Sequence, residues 1–298
     1  MGKDEGLKKI EVPNFGFKDP EKAIEEAVEG FRKDAPFYAE LQKLGLTNKE
    51  VRDNLPALID YQINFKECKD TDPFPEGGPE FEMSLVRTGG NIEVRYSPRK
   101  RELKRLSIEA NYIFRDFPDS WLEANLKDVN FTKKRSAIVM KLGGFLKGDP
   151  RKWMYLTGEF GTGKSYILAA YANSLANQGE TVAFCNSASI IDKLRNDAVV
   201  DKKGYAVEME QLKNVSLLVL DGFGDEYKSD FALSTVLYPI LSSRSREGKQ
   251  TMFTSDFTIE EINSMYSAKI NAPRARQLCT LIKNECSKET LLEGLKVD

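Results

Sequence analysis

One stretch of this chain carries the residue types and spacing that phosphate chemistry needs. Gly158-Glu159-Phe160-Gly161-Thr162-Gly163-Lys164-Ser165 fits the pattern GxxxxGK[ST]. Glycines let a backbone curl so that successive N–H groups converge on phosphate oxygens. The run follows a strand-like segment, Trp153–Thr157, and opens a helix-like one, Ser165–Asn177, so a helix N-terminus adds the positive end of its dipole. In that context Lys164 supplies a cation to the β- and γ-phosphates and Ser165 offers a hydroxyl to Mg²⁺. Gly158, Phe160, Gly161, Thr162, Gly163 and Tyr166 complete the expected nucleotide contacts.

Two further segments belong with it. Val215–Leu220 is a mostly apolar strand that ends in Asp221. A buried parallel strand delivers such a carboxylate to the C-terminal edge of its sheet, beside the phosphate loop. There Asp221 can hold Mg²⁺ through water, the Walker B role. Thr251–Ser255 is another strand, followed by Asp256. In additional-strand P-loop ATPases a strand of this kind lies between the other two, and its terminal polar residue faces the γ-phosphate as sensor 1. The alternative is a plain strand cap, and the residues alone leave both open.

These segments need a scaffold, and the rear of the chain supplies one. Strands at Trp153–Thr157, Thr181–Asn186, Val215–Leu220 and Thr251–Ser255 alternate with helices at Ser165–Asn177, Ser189–Asp197, Phe231–Arg246, Ile259–Tyr266 and Arg274–Asn284. That alternation predicts an α/β fold with a parallel sheet covered on both faces. The front differs. Asp19-Pro20-Glu21 starts a helix, Thr47-Asn48-Lys49-Glu50 has capping-box form, and Phe81–Arg87 with Asn91–Tyr96 reads as a hairpin turning through Gly89-Gly90. A Pro/Gly-rich loop at 70–80 lies between them. The expected division is a small, mainly helical domain with a short hairpin over 1–110, a turn-rich linker over 111–130, and the ATP-binding domain over 131–298.

Composition narrows the function. Residues 1–85 carry a balance of −7, residues 86–105 one of +5, and the whole 298-residue chain −2. Contact with nucleic acid therefore needs a local patch, and Arg95–Arg105 is the dense one, with a solvated helix as the plainer reading. Histidine is absent, which excludes His triads, zincin motifs and His metal ligands. The four cysteines, Cys68, Cys185, Cys279 and Cys286, form no CxxC pair, so no zinc is expected. Met1–Glu11 has no apolar h-region and no apolar run approaches a membrane span, so a soluble, cytoplasmic protein with no membrane partner is expected.

The segments GEFGTGKSYILAAYANSLANQG, LLVLDGFGDE, YPILSSRSREGKQTMFTSDF and RARQLCTLIK occur in this order. Their order and wording resemble the DnaI/DnaC-type bacterial replicative helicase loaders, AAA+ ATPases of DNA replication and the primosome, with the DnaI type the better match. The resemblance covers roughly 120–298 well, and the front is similar in layout. It implies that the front module binds the hexameric replicative helicase. It implies too that the rear binds ATP, Mg²⁺ and single-stranded DNA, and that ATP-dependent self-assembly is open. By the same resemblance Asp221 is the Walker B acid and Asp256 occupies the sensor 1 position. Arg276, with Arg274 and then Arg244 as alternatives, falls where a neighbour-directed or sensor 2 arginine belongs.

The chain departs from the family pattern in three places. Gly222 follows Asp221 where a second, water-polarising acid is usual, so hydrolysis should be slow unless Asp225, Glu226 or Asp256 compensates. Only Cys68 remains where the family's front module often holds zinc. Asp256 replaces an Asn and puts a negative charge near the γ-phosphate. Three functions therefore stay open: a helicase loader, an ATP-gated helicase-binding adaptor with little hydrolysis (encoded by a chromosome, phage or plasmid), and a transposition helper ATPase. A small-molecule kinase is more remote, because it would not need a separate front module.

Overall fold

The computed structural model describes residues 20–69, 80–88, 91–129, 133–148, 150, 152–286 and 289–292. The N-terminal stretch, residues 70–79 of the expected loop and the Gly89-Gly90 turn lie outside the described residues. The chain divides into two compact units, one through Leu103 and one from Lys104.

The first unit contains α1 (Pro20–Lys33), α2 (Ala35–Lys43), α3 (Asn48–Asp53), α4 (Leu55–Lys69) and the antiparallel hairpin β1 (Phe81–Thr88) and β2 (Asn91–Pro98). Asp34 caps α2, with Pro36 in its first turn, and Thr47 with Glu50 forms the expected capping box on α3. An aromatic cluster sits among the aliphatic side chains of the unit's core. The Phe37 ring lies 5.3 Å from Phe31, 5.5 Å from Tyr61 and 5.7 Å from Phe65. Asn64 then ties α4 to β1, donating to Phe81 O at 3.0 Å and accepting from Met83 N at 2.9 Å.

The second unit begins inside α5 (Lys100–Glu109) and continues with β3 (Tyr112–Arg115), a 3-10 turn (Asp119–Glu123), α6 (Lys133–Leu146), β4 (Met154–Thr157), α7 (Lys164–Ala176) and β5 (Val182–Asn186). It goes on through α8 (Ser187–Val200), α9 (Lys202–Asn214), β6 (Leu217–Asp221), a π-helical stretch (Phe231–Leu237) and α10 (Tyr238–Arg246). It closes with β7 (Gln250–Ser255), α11 (Ile259–Lys269), α12 (Ala272–Cys286) and β8 (Glu289–Leu291). The sheet order is β3-β5-β6-β7-β4-β8, with all neighbouring pairs parallel. Of the two readings left open for Thr251–Ser255, the additional strand holds: β7 lies between the phosphate-loop strand β4 and the Asp221 strand β6.

The central strands read as continuous apolar runs because both faces are covered. Leu156, Phe184, Val219 and Met252 enter one core with α7. Tyr155, Cys185, Leu220 and Phe253 enter the other with α10, α11 and α12. The alternation of strand side chains assigns each residue to its face.

The linker expected over 111–130 is corrected. Tyr112–Arg115 forms the edge strand β3, and Phe117, Leu122, Ala124, Leu126 and Val129 are buried in the second core. Buried Asn173 of α7 holds the segment down. It donates to Trp121 O at 2.6 Å and Ala124 O at 3.0 Å and accepts from Tyr112 Oη at 2.8 Å. Among the described residues, no helix is long and apolar enough to cross a membrane.

Candidate nucleotide site

The cleft forms where the C-terminal ends of β4, β6 and β7 meet the start of α7. It has a volume of about 760 Å³ and is lined by residues 160–167, Asp221, Gly222, Asp225 and Thr254–Asp256, with Trp121, Asp128, Val129, Arg135 and Asn186 on its other walls. Gly158 has φ +150°, and a Cβ there would come within 2.2 Å of Leu292 O, so only glycine fits as the chain leaves β4. Gly163, at φ +82°, caps α7 in the left-handed region.

Lys164 is buried. Its Nζ donates to Gly158 O at 2.8 Å, Glu159 O at 2.9 Å and Asp256 Oδ1 at 2.8 Å. Thr162 Oγ1 donates to Glu159 O at 2.9 Å, and Arg135 Nη2 to Thr162 O at 2.9 Å, which fixes the loop from both sides. Phe160 projects into solvent at 84% exposure. Tyr166 packs edge-to-face on Trp121, with ring centroids 5.6 Å apart.

On the opposite wall, Thr254 Oγ1 donates to Asp221 Oδ1 at 2.6 Å and accepts from Gly222 N at 3.0 Å. That hydroxyl orients the carboxylate. Ser165 and Asp221 place a hydroxyl and a carboxylate in the same cleft, the hard oxygen donors that Mg²⁺ takes. With the glycine-rich loop and Lys164, these residues fit a Mg²⁺-nucleotide. Asp225 stands at the mouth. Its carboxyl is held above the usual carboxylate range by partial desolvation first, then by the charges of Asp256 and Glu226.

Phe160 to Tyr166, Asp221 and Asp256 thus share one cleft, whereas Glu226 and Arg276 do not line it. Glu226 is fully buried. It accepts from Ser187 Oγ at 2.8 Å, Gly224 N at 2.9 Å and Tyr266 Oη at 2.8 Å, so it braces the turn after β6. Arg276 is exposed on α12, and Arg274 lies over the Tyr238 ring at 4.2 Å. Arg244 is fully buried and spends its donors on Leu212 O, Lys213 O, Val215 O, Gln250 O and Thr251 Oγ1. It is a structural clamp, buried and not part of the cleft lining.

Sequence reasoning missed Thr254, Asn186 and Trp121. Thr254 alone had a signal, as a hydroxyl next to the end of an apolar strand. Cys68 lies near Asn64 in the first unit, and no group of three or more His, Cys, Asp or Glu side chains that could hold a metal ion occurs among the described residues.

A parallel sheet with an extra strand between the phosphate-loop and acid strands, and this cleft at its edge, defines an AAA+ P-loop ATPase domain. Residues 114–272 match the family model described as IstB-like ATP binding protein, and the chain belongs to that family. It is 26% identical over 275 residues to the replicative helicase loader DnaI of Bacillus subtilis strain 168, across 85% of each chain. It is 26% identical over 118 residues to the replicative helicase loader DnaC of Escherichia coli K12, across 38% of this chain and 46% of that one. The crystal structure of a putative primosome component from Streptococcus pyogenes serotype M3 superimposes with a TM-score of 0.54 at 25% identity, covering 64% of this chain and 98% of that one. The resemblance read from the motifs is therefore borne out.

Proposed function

We propose that this chain loads a hexameric replicative DNA helicase onto single-stranded DNA in an ATP-dependent way. The observation that carries this is the extent of the likeness to the DnaI loader. It runs through 85% of both chains, beyond the ATP-binding residues alone. In this reading the first unit, through Leu103, engages the helicase ring. The rear unit binds ATP through Lys164 and the loop amides, with Ser165 and Asp221 holding Mg²⁺, which neutralises charge on the phosphates. Exposed Arg276 is available to the nucleotide of a neighbouring subunit on self-assembly. Single-stranded DNA is gripped through its backbone without base readout, and the chain acts in the cytoplasm.

The deciding experiment is a pull-down of a hexameric replicative helicase with the full chain, with and without ATP. Full-chain capture is expected, with the first unit, through Leu103, sufficient for it. Capture by residues 104–298 as tight as by the full chain would sink the division of labour. A second reading, an adaptor gated by ATP occupancy with little turnover, is favoured by Gly222 directly after Asp221.

A further inference from the structure

We propose that Asp225 is the catalytic base for ATP hydrolysis in this chain, standing in for the acid that position 222 lacks. This rests on the ATP-binding reading of the cleft. The turn after β6 carries the argument. Gly222 has φ +65°, and a Cβ built on it would lie 2.8 Å from Asp225 Oδ2 and 3.7 Å from Asn186 Nδ2. The Asp225 carboxylate therefore fills the space into which a side chain at 222 would reach. The backbone is shaped to put it there: Asp225 N donates to Gly222 O at 3.0 Å, folding the chain back over the glycine.

Both flanks of this turn are anchored. Phe223 is fully buried, and its N–H donates to Thr254 O at 2.8 Å. Gly224 presses so closely on α11 and the loop before it that a Cβ would meet Ile262 Cδ1 at 2.3 Å and Phe257 Cδ2 at 2.9 Å. Glu226 is held by its three donors. Between these anchors Asp225 points outward into the cleft.

Of the other carboxylates, Asp221 accepts from the Thr254 hydroxyl, Glu226 is buried behind the wall, and Asp256 is the partner of Lys164 at 2.8 Å, the contact that an arriving phosphate must displace. Asp225 accepts no side-chain hydrogen bond from the described residues, so a water can lie against it. In the step it serves, the water oxygen attacks the γ-phosphorus and its proton passes to the Asp225 carboxylate. The bond from the γ-phosphorus to the bridging oxygen breaks, and its electron pair leaves on the β-phosphate. ADP and inorganic phosphate result, and the proton returns to solvent.

Single-turnover hydrolysis of labelled Mg²⁺-ATP and calorimetric ATP affinity, measured on the full chain, test this. Asp225→Asn should slow hydrolysis by about 10²-fold or more, with ATP affinity no weaker and the melting temperature unchanged. Gly222→Asp combined with Asp225→Gly returns the acid to position 222 and should recover turnover. Asp225→Asn that binds and hydrolyses ATP like the unsubstituted chain overturns the assignment. So does an unsubstituted chain that binds ATP without hydrolysing it, which leaves the adaptor reading standing. Failure of the unsubstituted chain to bind ATP overturns instead the reading beneath.

Discussion

The two walls of the cleft solve their problems differently. The wall made by Gly158–Ser165 is contiguous in sequence, and its function resides in backbone N–H groups plus one lysine. The wall made by the ends of β6 and β7 is assembled from residues more than thirty positions apart, such as Asp221 and Thr254, joined by side-chain hydrogen bonds. A contiguous loop tolerates little change, because each residue is fixed by the curl of its neighbours. A wall assembled from side chains can trade positions, provided that a carboxylate of the right kind reaches the same space. On the proposal above Gly222 with Asp225 is a trade of that sort, and by the family resemblance so is Asp256 where an Asn is usual.

The largest expected effect falls on the contiguous wall. Lys164→Ala removes a buried, hydrogen-bonded cation, and losing such a partner costs about 2–5 kcal/mol of binding. ATP affinity should fall by thirty-fold or more. The melting temperature should fall by a few degrees at most: the orphaned Asp256 side chain is 43% exposed, so water can take over there, and Gly158 O is the one acceptor left in a buried contact. Calorimetry that finds undiminished affinity would remove the phosphate-loop assignment and the comparison with it.

Glu226→Ala separates bracing from chemistry on the assembled wall. The substitution strands Ser187 Oγ, Gly224 N and Tyr266 Oη inside the protein. Buried polar groups left unpaired cost about 1–3 kcal/mol. A drop of several degrees in melting temperature is expected, together with a looser turn and slower hydrolysis. Full stability with hydrolysis abolished would instead put Glu226 at the reacting phosphate.

The same contrast explains what could be read from residues alone. The phosphate loop was legible because its chemistry demands adjacent residues, and Asp221 because an apolar run ending in an acid is a buried strand meeting a sheet edge. β3 was not, since four residues followed by Asp116 and Pro118 look like the start of a turn. α9 was not, because it buries only Met209 and Leu212 and so shows little periodicity. Asp225 was one choice among three until the turn placed its oxygen over Gly222. Arg244 resembles any solvated helix arginine until five acceptors from separate segments are seen around it.

The smallest effect concerns Asp256, and it tests whether the assembled wall's trade carries a cost. Asp256 holds Lys164 in the very position from which the lysine must reach phosphate, and it brings a negative charge toward a polyanion. Two like charges about 4 Å apart repel by about 1 kcal/mol even when fully screened by water. Incoming nucleotide must also draw Lys164 away from this carboxylate. Asp256→Asn removes the charge and keeps a polar side chain of the same size, so ATP should bind about five-fold more tightly. ADP should gain less, because it lacks the γ-phosphate that the family resemblance sets nearest this residue. Paired calorimetric titrations of ATP and ADP read the difference directly. Weaker ATP binding in the Asn variant would mean that the Lys164–Asp256 pair preorganises the lysine for phosphate. The substitution in the assembled wall would then support the contiguous one instead of competing with it.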